Sequence, residues 1–265
     1  MPADDDVTQF AVLGADDRID PDGLAHWYAY PERLRSCWVR GNMIASIDGG
    51  ATSDGKSGDL GGDGDRALFA ALRELADVIV VGASTARVEN YSGVQFSAAQ
   101  RQRRRHRGQA EVPPIAVLTR SGNIERDAGI LHHTEVAPLI LTCTDAVGDT
   151  TARLGGVAEV VDASGVHTHS VDLRVALRLL AERGLLRVLA EGGPGVLGMC
   201  VEQNVIDEMC LTVAPALVGG KSARIVTGPA EAHTTMQLSH ALTDNEGYLY
   251  LRYRRREPAR AGAAQ

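Results

Sequence analysis

Leu189-Ala190-Glu191-Gly192-Gly193-Pro194-Gly195 closes an apolar run over residues 185–190 and opens a helical pattern over residues 196–202. A strand that ends in glycines lets backbone N–H groups approach an anion with no Cβ in the way, and the following helix N-terminus adds partial positive charge. The stretch therefore reads as phosphate-binding architecture in an α/β fold, with ordinary Gly-Gly-Pro turn chemistry as the alternative for this stretch taken alone. Glu191 places a carboxylate at the strand end, directly before the glycines.

Working outward, the same alternation recurs. Residues 38–47 read as a strand, followed by a Gly-, Ser- and Asp-rich loop up to Asp65. A helix comes next, because Leu68, Phe69, Leu72, Leu75 and Ala76 fall at helical spacing, with Asp65 near its favourable N-terminal end. Asp77-Val78-Ile79-Val80-Val81-Gly82 is a continuous apolar run ending in glycine, the pattern of a parallel strand buried on both faces. Runs over 115–119, 138–142 and 158–161 are of the same kind. A helix over 171–183 follows, with Leu173, Ala176, Leu177 and Leu180 on one face and Gly184 as its C-cap. A strand over 207–213 completes a further βαβ step, and the alternation over 247–254 suits an antiparallel edge or closing strand. The fold class expected is α/β: a mostly parallel central sheet flanked by helices, with an antiparallel C-terminal strand.

Residues 1–36 lack sustained periodicity and read as an appendage that packs Trp27, Tyr28 and Tyr30 on the body. Residues 37–256 read as one domain and 257–265 as a disordered tail. The run Arg101-Gln102-Arg103-Arg104-Arg105-His106-Arg107 reads as a solvated charged face or disordered loop. Contact with a phosphorylated ligand or nucleic acid is the other reading, disfavoured because no aromatic residue is interleaved to stack on bases.

With 265 residues and 44% hydrophobic composition the chain can bury a substantial core, and its formal charge of −7 disfavours a polyanionic partner. No apolar run approaches the roughly 20 residues that span a bilayer, and Asp4-Asp5-Asp6 is unlike a basic signal-peptide start. A cytoplasmic protein that binds neither membrane nor nucleic acid is expected. Cys37, Cys143, Cys200 and Cys210 form no C-x-x-C pair, so they read as small buried residues and no metal site is expected.

In a parallel sheet, the turns Val81-Gly82-Ala83-Ser84-Thr85 and Glu191-Gly192-Gly193-Pro194-Gly195 face one crevice, where a dinucleotide would fit. Ser84 and Thr85 can donate to a phosphate or cap their own helix. A third strand end, Thr119-Arg120-Ser121, sets a guanidinium and two hydroxyls where an adenosine 2′-phosphate could be met; a plain surface Arg is the alternative. The G-x-G-x-x-G fingerprint is absent, so a dinucleotide would be held by a different fold.

Ala45-Ser46-Ile47-Asp48-Gly49, then residues 72–82 with Thr85, residues 189–194, Ile206-Asp207-Glu208 and residues 214–220 together resemble the reductase domain of bacterial bifunctional riboflavin-biosynthesis proteins, from about residue 37 to 253. The resemblance implies a dihydrofolate reductase-like fold, an NADPH-dependent reductase and commonly a homodimer. Carried over by position, it implies that Ala45, Thr85 and the turn Gly192, Gly193, Pro194, Gly195 contact NADPH; the strand-end residues Val81, Gly82, Thr119, Arg120 and Ser121 complete the candidate cofactor site. Ser57 and Arg73 would lie on the substrate side, with Glu191 beside the substrate. The zinc deaminase module of those proteins has no counterpart, since no H-x-E followed by P-C-x-x-C occurs.

One segment departs from the family pattern. Arg87-Val88-Glu89-Asn90-Tyr91-Ser92-Gly93 stands where an Asp, a Pro and a nearby Arg usually hold the ribosyl phosphate; Glu89 is the candidate replacement for the acid. Asp65-Arg66-Ala67-Leu68-Phe69 resembles instead the dihydrofolate reductase element whose acid and Phe embrace a pterin, and i, i+4 spacing puts both on one helical face. The leading expectation is hydride transfer to a 5-amino-6-(phosphoribosylamino)uracil-like substrate. A dihydropterin is the second candidate substrate, and an NADPH-binding sensor without turnover is the alternative of another class. Asp65 and Glu191 are the candidate proton carriers or tautomer-fixing groups. Phe69, Arg73, Ser57 and Glu89 complete the candidate substrate site.

Overall fold

The computed structural model describes residues 9–13, 18–20 and 23–256. The acidic start and the tail over 257–265 lie outside the described residues. In chain order the elements are β1 (Phe10–Val12), β2 (Arg18–Ile19), α1 (Leu24–Trp27), β3 (Trp38–Ser46), α2 (Asp63–Leu75), β4 (Val78–Gly82), α3 (Ala83–Val88), α4 (Ala98–His106), β5 (Ile115–Leu118), α5 (Gly129–His132), β6 (Leu139–Thr142), α6 (Thr144–Leu154), β7 (Glu159–Asp162), α7 (Leu173–Glu182), β8 (Arg187–Ala190), α8 (Pro194–Glu202), β9 (Glu208–Ala214), β10 (Met236–Asp244) and β11 (Leu249–Arg255). The strands form one sheet in the order β2-β1-β10-β11-β9-β3-β8-β4-β5-β6-β7. From β9 to β7 every neighbouring pair is parallel, so the carboxyl ends of β3, β4, β5 and β8 line one edge.

The continuous apolar runs follow from burial on both faces. Ile79, Val81 and Leu189 join Leu68 and Leu72 of α2 in one core layer. Val78, Val80 and Val188 join Leu173, Ala176 and Leu180 of α7 and Leu197 and Cys200 of α8 in the other. The central parallel strands β4, β5, β6 and β8 thus supply alternate residues to two layers and read as continuous apolar runs. The expected α/β class holds, with a larger antiparallel section than the sequence suggested.

β11 is not an edge strand. It sits between β9 and β10, antiparallel to both. β10 has no counterpart in the sequence reading, because Gln237, Leu238 and Ser239 are exposed and break the apolar alternation that marks a strand. Beyond it β1 and β2 extend the sheet, supplied by the segment that showed no periodicity. That segment is tied down through Glu208, which accepts from Arg40 Nε at 2.6 Å and from Arg252 Nε and Nη2, both at 2.9 Å. Arg252 in turn donates to the carbonyls of Trp27 and Ala29. Tyr28 and Tyr30 are buried over this group, and His240 meets the rings of Trp27 and Tyr28 edge-on.

The basic run corrects a second expectation. Residues 98–106 form helix α4, with a complete capping box between Ser97 and Gln100, and Arg104 within it is fully buried. Its Nε donates to the Ala110 carbonyl at 2.8 Å and its Nη1 to the carbonyls of Glu74 and Ala76 at 2.8 and 2.7 Å. The last carbonyls of a helix have no intrahelical donor, so Arg104 completes the C-terminus of α2 from outside. Glu74 is gripped by Arg103 at 2.8 and 2.7 Å and by Arg107 at 3.0 Å. Three of the five arginines of the run therefore anchor the helix that carries Asp65, Phe69 and Arg73.

Candidate active site

A cavity of about 550 Å³ opens at the carboxyl edge of the sheet, between β3, α2, α3 and the turn after β8. Its lining includes Ser57, Asp65, Phe69, Arg73, Thr85, Glu89, Glu191, Gly193 and Pro194. Every residue expected on the substrate side is among them.

The turn over residues 192–195 is built around close backbone approach. Gly82 N–H donates to the Gly192 carbonyl at 2.9 Å, and Glu191 N–H to the Val80 carbonyl at 2.9 Å, so the ends of β4 and β8 are held together. Gly192 has φ +85°, and a Cβ there would lie 2.9 Å from Met43 Sδ. A Cβ on Gly193 would press into Thr85 Oγ1. Pro194 occupies the first turn of α8, Gly193 is its N-cap, and no side chain caps it. Unencumbered backbone at an uncapped helix start, beside the Thr85 hydroxyl, suits a phosphate or the amide edge of a nucleotide cofactor.

Ser84 and Thr85 do not cap α3, because the N-cap is Gly82 and no side chain bonds the first turn. Ala45 is buried in β3, while Asn42, Met43 and Ile44 of that strand line the cavity. Val81 is buried in the core. Gly195 is exposed on α8. Thr119 is buried and its hydroxyl accepts from the Gly122 N–H at 3.1 Å. Arg120 and Ser121 are exposed beyond β5 and stand outside the cavity lining.

The deep wall is an ion pair. Arg73 donates from Nε and Nη2 to the two oxygens of Glu191, each at 2.7 Å, and Tyr91 donates its hydroxyl to Glu191 Oε2 at 2.9 Å. The Arg73 guanidinium lies 4.2 Å over the Phe69 ring and 5.4 Å over the Tyr91 ring. The Glu191 carboxylate is 1% exposed and the Arg73 side chain 17%, so the pair is dry on one side and meets the cavity on the other. Burial, and then the Glu191 charge, push the Tyr91 hydroxyl well above its ordinary pKa, and it remains a donor. Tyr91, which departs from the family pattern in sequence, thus becomes the third member of a clamp that sequence spacing could not reveal.

Nearer the mouth, Glu89 accepts from the Ser57 N–H at 2.9 Å and the Ser57 hydroxyl at 2.8 Å, which joins two expected substrate residues. Asp65, like Glu89, enters no ion pair within 4.0 Å among the described residues; burial raises its pKa, offset first by a hydrogen bond from the Thr212 side chain and then by the charge of Arg66. Around it Tyr248 donates to the Leu60 carbonyl at 3.0 Å, and Gly64 lies where a Cβ would strike the Tyr250 hydroxyl. At the rim Asp48 accepts from Ser46 Oγ, Gly219 N–H and Val218 N–H, which hold its carboxyl at about 2 and link the loop after β9 to the end of β3.

A family model described as the RibD C-terminal domain matches residues 37–250. A protein of Archaeoglobus fulgidus named 2,5-diamino-6-ribosylamino-4(3H)-pyrimidinone 5′-phosphate reductase is 26% identical over 186 residues, 70% of this chain and 83% of that one. The riboflavin biosynthesis protein RibD of Chlamydia trachomatis is 29% identical over 195 residues, 72% of this chain and 49% of that protein, so the chain spans about half of that relative. Among solved structures, a pyrimidine reductase-like protein from Corynebacterium diphtheriae superposes with a TM-score of 0.76 at 27% identity, covering 84% of this chain and 93% of the other.

Proposed function

Because the chain belongs to the RibD C-terminal domain family, we propose that it reduces a ribosylaminopyrimidine 5′-phosphate with NADPH. The observation that carries this reading is the pairing, in one cavity, of a glycine cradle at the start of α8 with a wall of substrate-facing polar groups on α2. Gly192, Gly193, Pro194, Gly195, Val81, Gly82, Thr85 and Ala45 would hold the nicotinamide half, and Thr119, Arg120 and Ser121 at the end of β5 would meet the 2′-phosphate. The dihydronicotinamide supplies a hydride when bound.

The chain's own contribution is positioning. Arg73 is fixed by Glu191 and Tyr91, so its remaining donors face the substrate in a set direction. Ser57 is held by Glu89 in the same manner. In the reaction, hydride adds to C1′ of the opened ribosyl chain, the C=N electron pair moves to nitrogen, and that nitrogen takes a proton. Glu191 already accepts three hydrogen bonds and acts here by orienting Arg73. Asp65, whose carboxyl pKa is raised by burial, is the group suited to hold a proton or a tautomer at the heterocycle.

Asp65 and Phe69 lie one helical turn apart, both on the cavity, which supports a second reading, reduction of a dihydropterin. In the same proposal, residues 37–256 form the reductase unit and the protein works as a cytoplasmic homodimer. NADPH oxidation with a ribosylaminopyrimidine 5′-phosphate and, separately, with dihydrofolate tests the assignment. Turnover of the first supports it, turnover of dihydrofolate alone replaces it by the second, and tight NADPH binding with neither leaves a sensor.

A further inference from the structure

Helix α3 and the turn that follows it stand between two cavities. Ser84, Thr85 and Val88 line the substrate cavity, whereas Ala83, Ala86 and Arg87, at i, i+3 and i+4 spacing, line a second one of about 220 Å³. Asn90 and Tyr91 belong to both linings. The apolar part of the second cavity also includes Val117 of β5, Ile124 and Ile130, all buried. Its polar part lies at the surface. Arg87 Nη2 donates to the Asn123 carbonyl at 3.0 Å, and Glu125 and Asp127 are exposed and outside every ion pair within 4.0 Å among the described residues.

This composition selects a ligand class. At about 220 Å³ the cavity is smaller than the roughly 300–1,000 Å³ of sites for drug-sized ligands, so a single ring fills it and a dinucleotide does not fit. Two carboxylates against one guanidinium disfavour a phosphate, which sets the cavity apart from the cofactor and from a phosphorylated substrate. The same carboxylates attract a cation, and Tyr91 brings an aromatic ring, which also favours an ammonium group. A molecule with a ring-sized apolar body and a protonated amine satisfies both parts of the lining.

Tyr91 joins the two cavities. In the first, its hydroxyl donates to Glu191 Oε2 at 2.9 Å and so belongs to the clamp on Arg73. Toward the second, its N–H donates to the Ala86 carbonyl at 2.8 Å, and Gly129 lies where a Cβ would come within 3.2 Å of the Tyr91 carbonyl. The Tyr91 backbone is thus held between α3 and the start of α5, two walls of the second cavity. An occupant that fixes those walls fixes the phenol against Glu191.

We propose that the second cavity is an effector site for a small one-ring ammonium compound, and that Tyr91 transmits its occupancy to the Arg73–Glu191 clamp. The site goes beyond the reductase reading, and the transmission rests on that reading through the pyrimidine that Arg73 meets. With the amine bound the clamp is held in its binding geometry, so the pyrimidine KM falls while NADPH affinity stays. Coupling of this kind is reciprocal, so the pyrimidine tightens the amine by the same factor.

Benzylamine, benzyl alcohol and benzoate share one ring and differ in charge, and titration calorimetry on the full chain compares them. Benzylamine should bind about fivefold or more tightly than the alcohol, the two exposed carboxylates supplying the difference, and benzoate should not bind. Glu125→Gln/Asp127→Asn changes only exposed residues outside the substrate cavity and should abolish the preference. Saturating benzylamine should lower the pyrimidine KM by about fivefold, and Tyr91→Phe should keep the binding but lose the effect on KM. Equal affinity for amine and alcohol, or amine binding untouched by the double variant, would refute the site and leave the reductase reading standing. Carboxylate-dependent amine binding with no reduction of any pyrimidine would sustain the site and refute that reading. Amine binding with an unmoved or raised KM would refute the transmission.

Discussion

Glu191→Gln isolates the clamp on which the cavity's deep wall depends. The substitution keeps size and one acceptor oxygen but removes the charge that meets Arg73 and replaces the second acceptor by an NH₂ that faces a guanidinium. Breaking a fully buried ion pair by one partner costs about 3–5 kcal/mol. Here Glu191 is 1% exposed while Arg73 keeps 17% of its surface open to the cavity, so water can repay part of that loss and about 2 kcal/mol is expected. For a chain of this size each kcal/mol moves Tm by roughly 2–4 °C, giving a fall of about 4–8 °C. Tyr91 and Arg73 are left to share the one remaining oxygen, so the effect on catalysis should fall on the pyrimidine: its KM should rise at least tenfold while NADPH affinity changes little. Thermal melting with parallel NADPH titration and steady-state kinetics measures all three quantities. A Tm within about 1 °C of the unaltered protein, or a loss confined to NADPH binding, would refute the clamp as the element that orients the substrate side.

Three other predictions follow from the geometry. Arg104→Ala should leave the carbonyls of Ala76 and Ala110 without the guanidinium and that of Glu74 with Arg107 alone, and destabilise the protein by about 3 kcal/mol or more in urea unfolding; an unchanged midpoint would mean that α2 needs no external cap. Gly193→Ala drives a methyl into Thr85 Oγ1, so NADPH affinity should drop at least tenfold and recover in part in the Gly193→Ala/Thr85→Ala double variant, as fluorescence titration would reveal. His240, held at about 4 by burial and the Arg252 charge, stays neutral in the fold while the unfolded chain binds a proton below about 6.5. Stability from this residue is therefore present above pH 6.5 and declines as pH falls toward 4, by about 1–2 kcal/mol after solvent screening. His240→Phe should flatten that acid limb in denaturation curves taken across the window, and an unaltered limb would count against it.

The parallel half of the sheet was legible because two-sided burial leaves continuous apolar runs, as in residues 77–82, and because glycines mark where such strands meet the cleft. β10 was not, since its exposed Gln237, Leu238 and Ser239 carry no period of two. The arginine run misled for a related reason: the burial of Arg104 is decided by carbonyls of α2 some thirty residues earlier, which no local composition reports. The residues expected on the substrate side are named in sequence one by one, through resemblance and helical spacing, and one cavity is lined by all of them. Their relations were hidden. Arg73, Tyr91 and Glu191 are separated by up to 118 residues in sequence, and only the fold shows that Glu191 is held by both of the others.

The activity proposed for the cavity is transfer of hydride from NADPH to the ribosyl carbon of a ribosylaminopyrimidine 5′-phosphate. Reduction with NADPH deuterated at the transferable C4 position, followed by mass spectrometry of the product, tests it most directly. Stoichiometric NADPH oxidation and one deuterium at C1′ of the resulting ribityl chain are expected. Oxidation without deuterium in the product, or a product unchanged in the presence of bound NADPH, would contradict it.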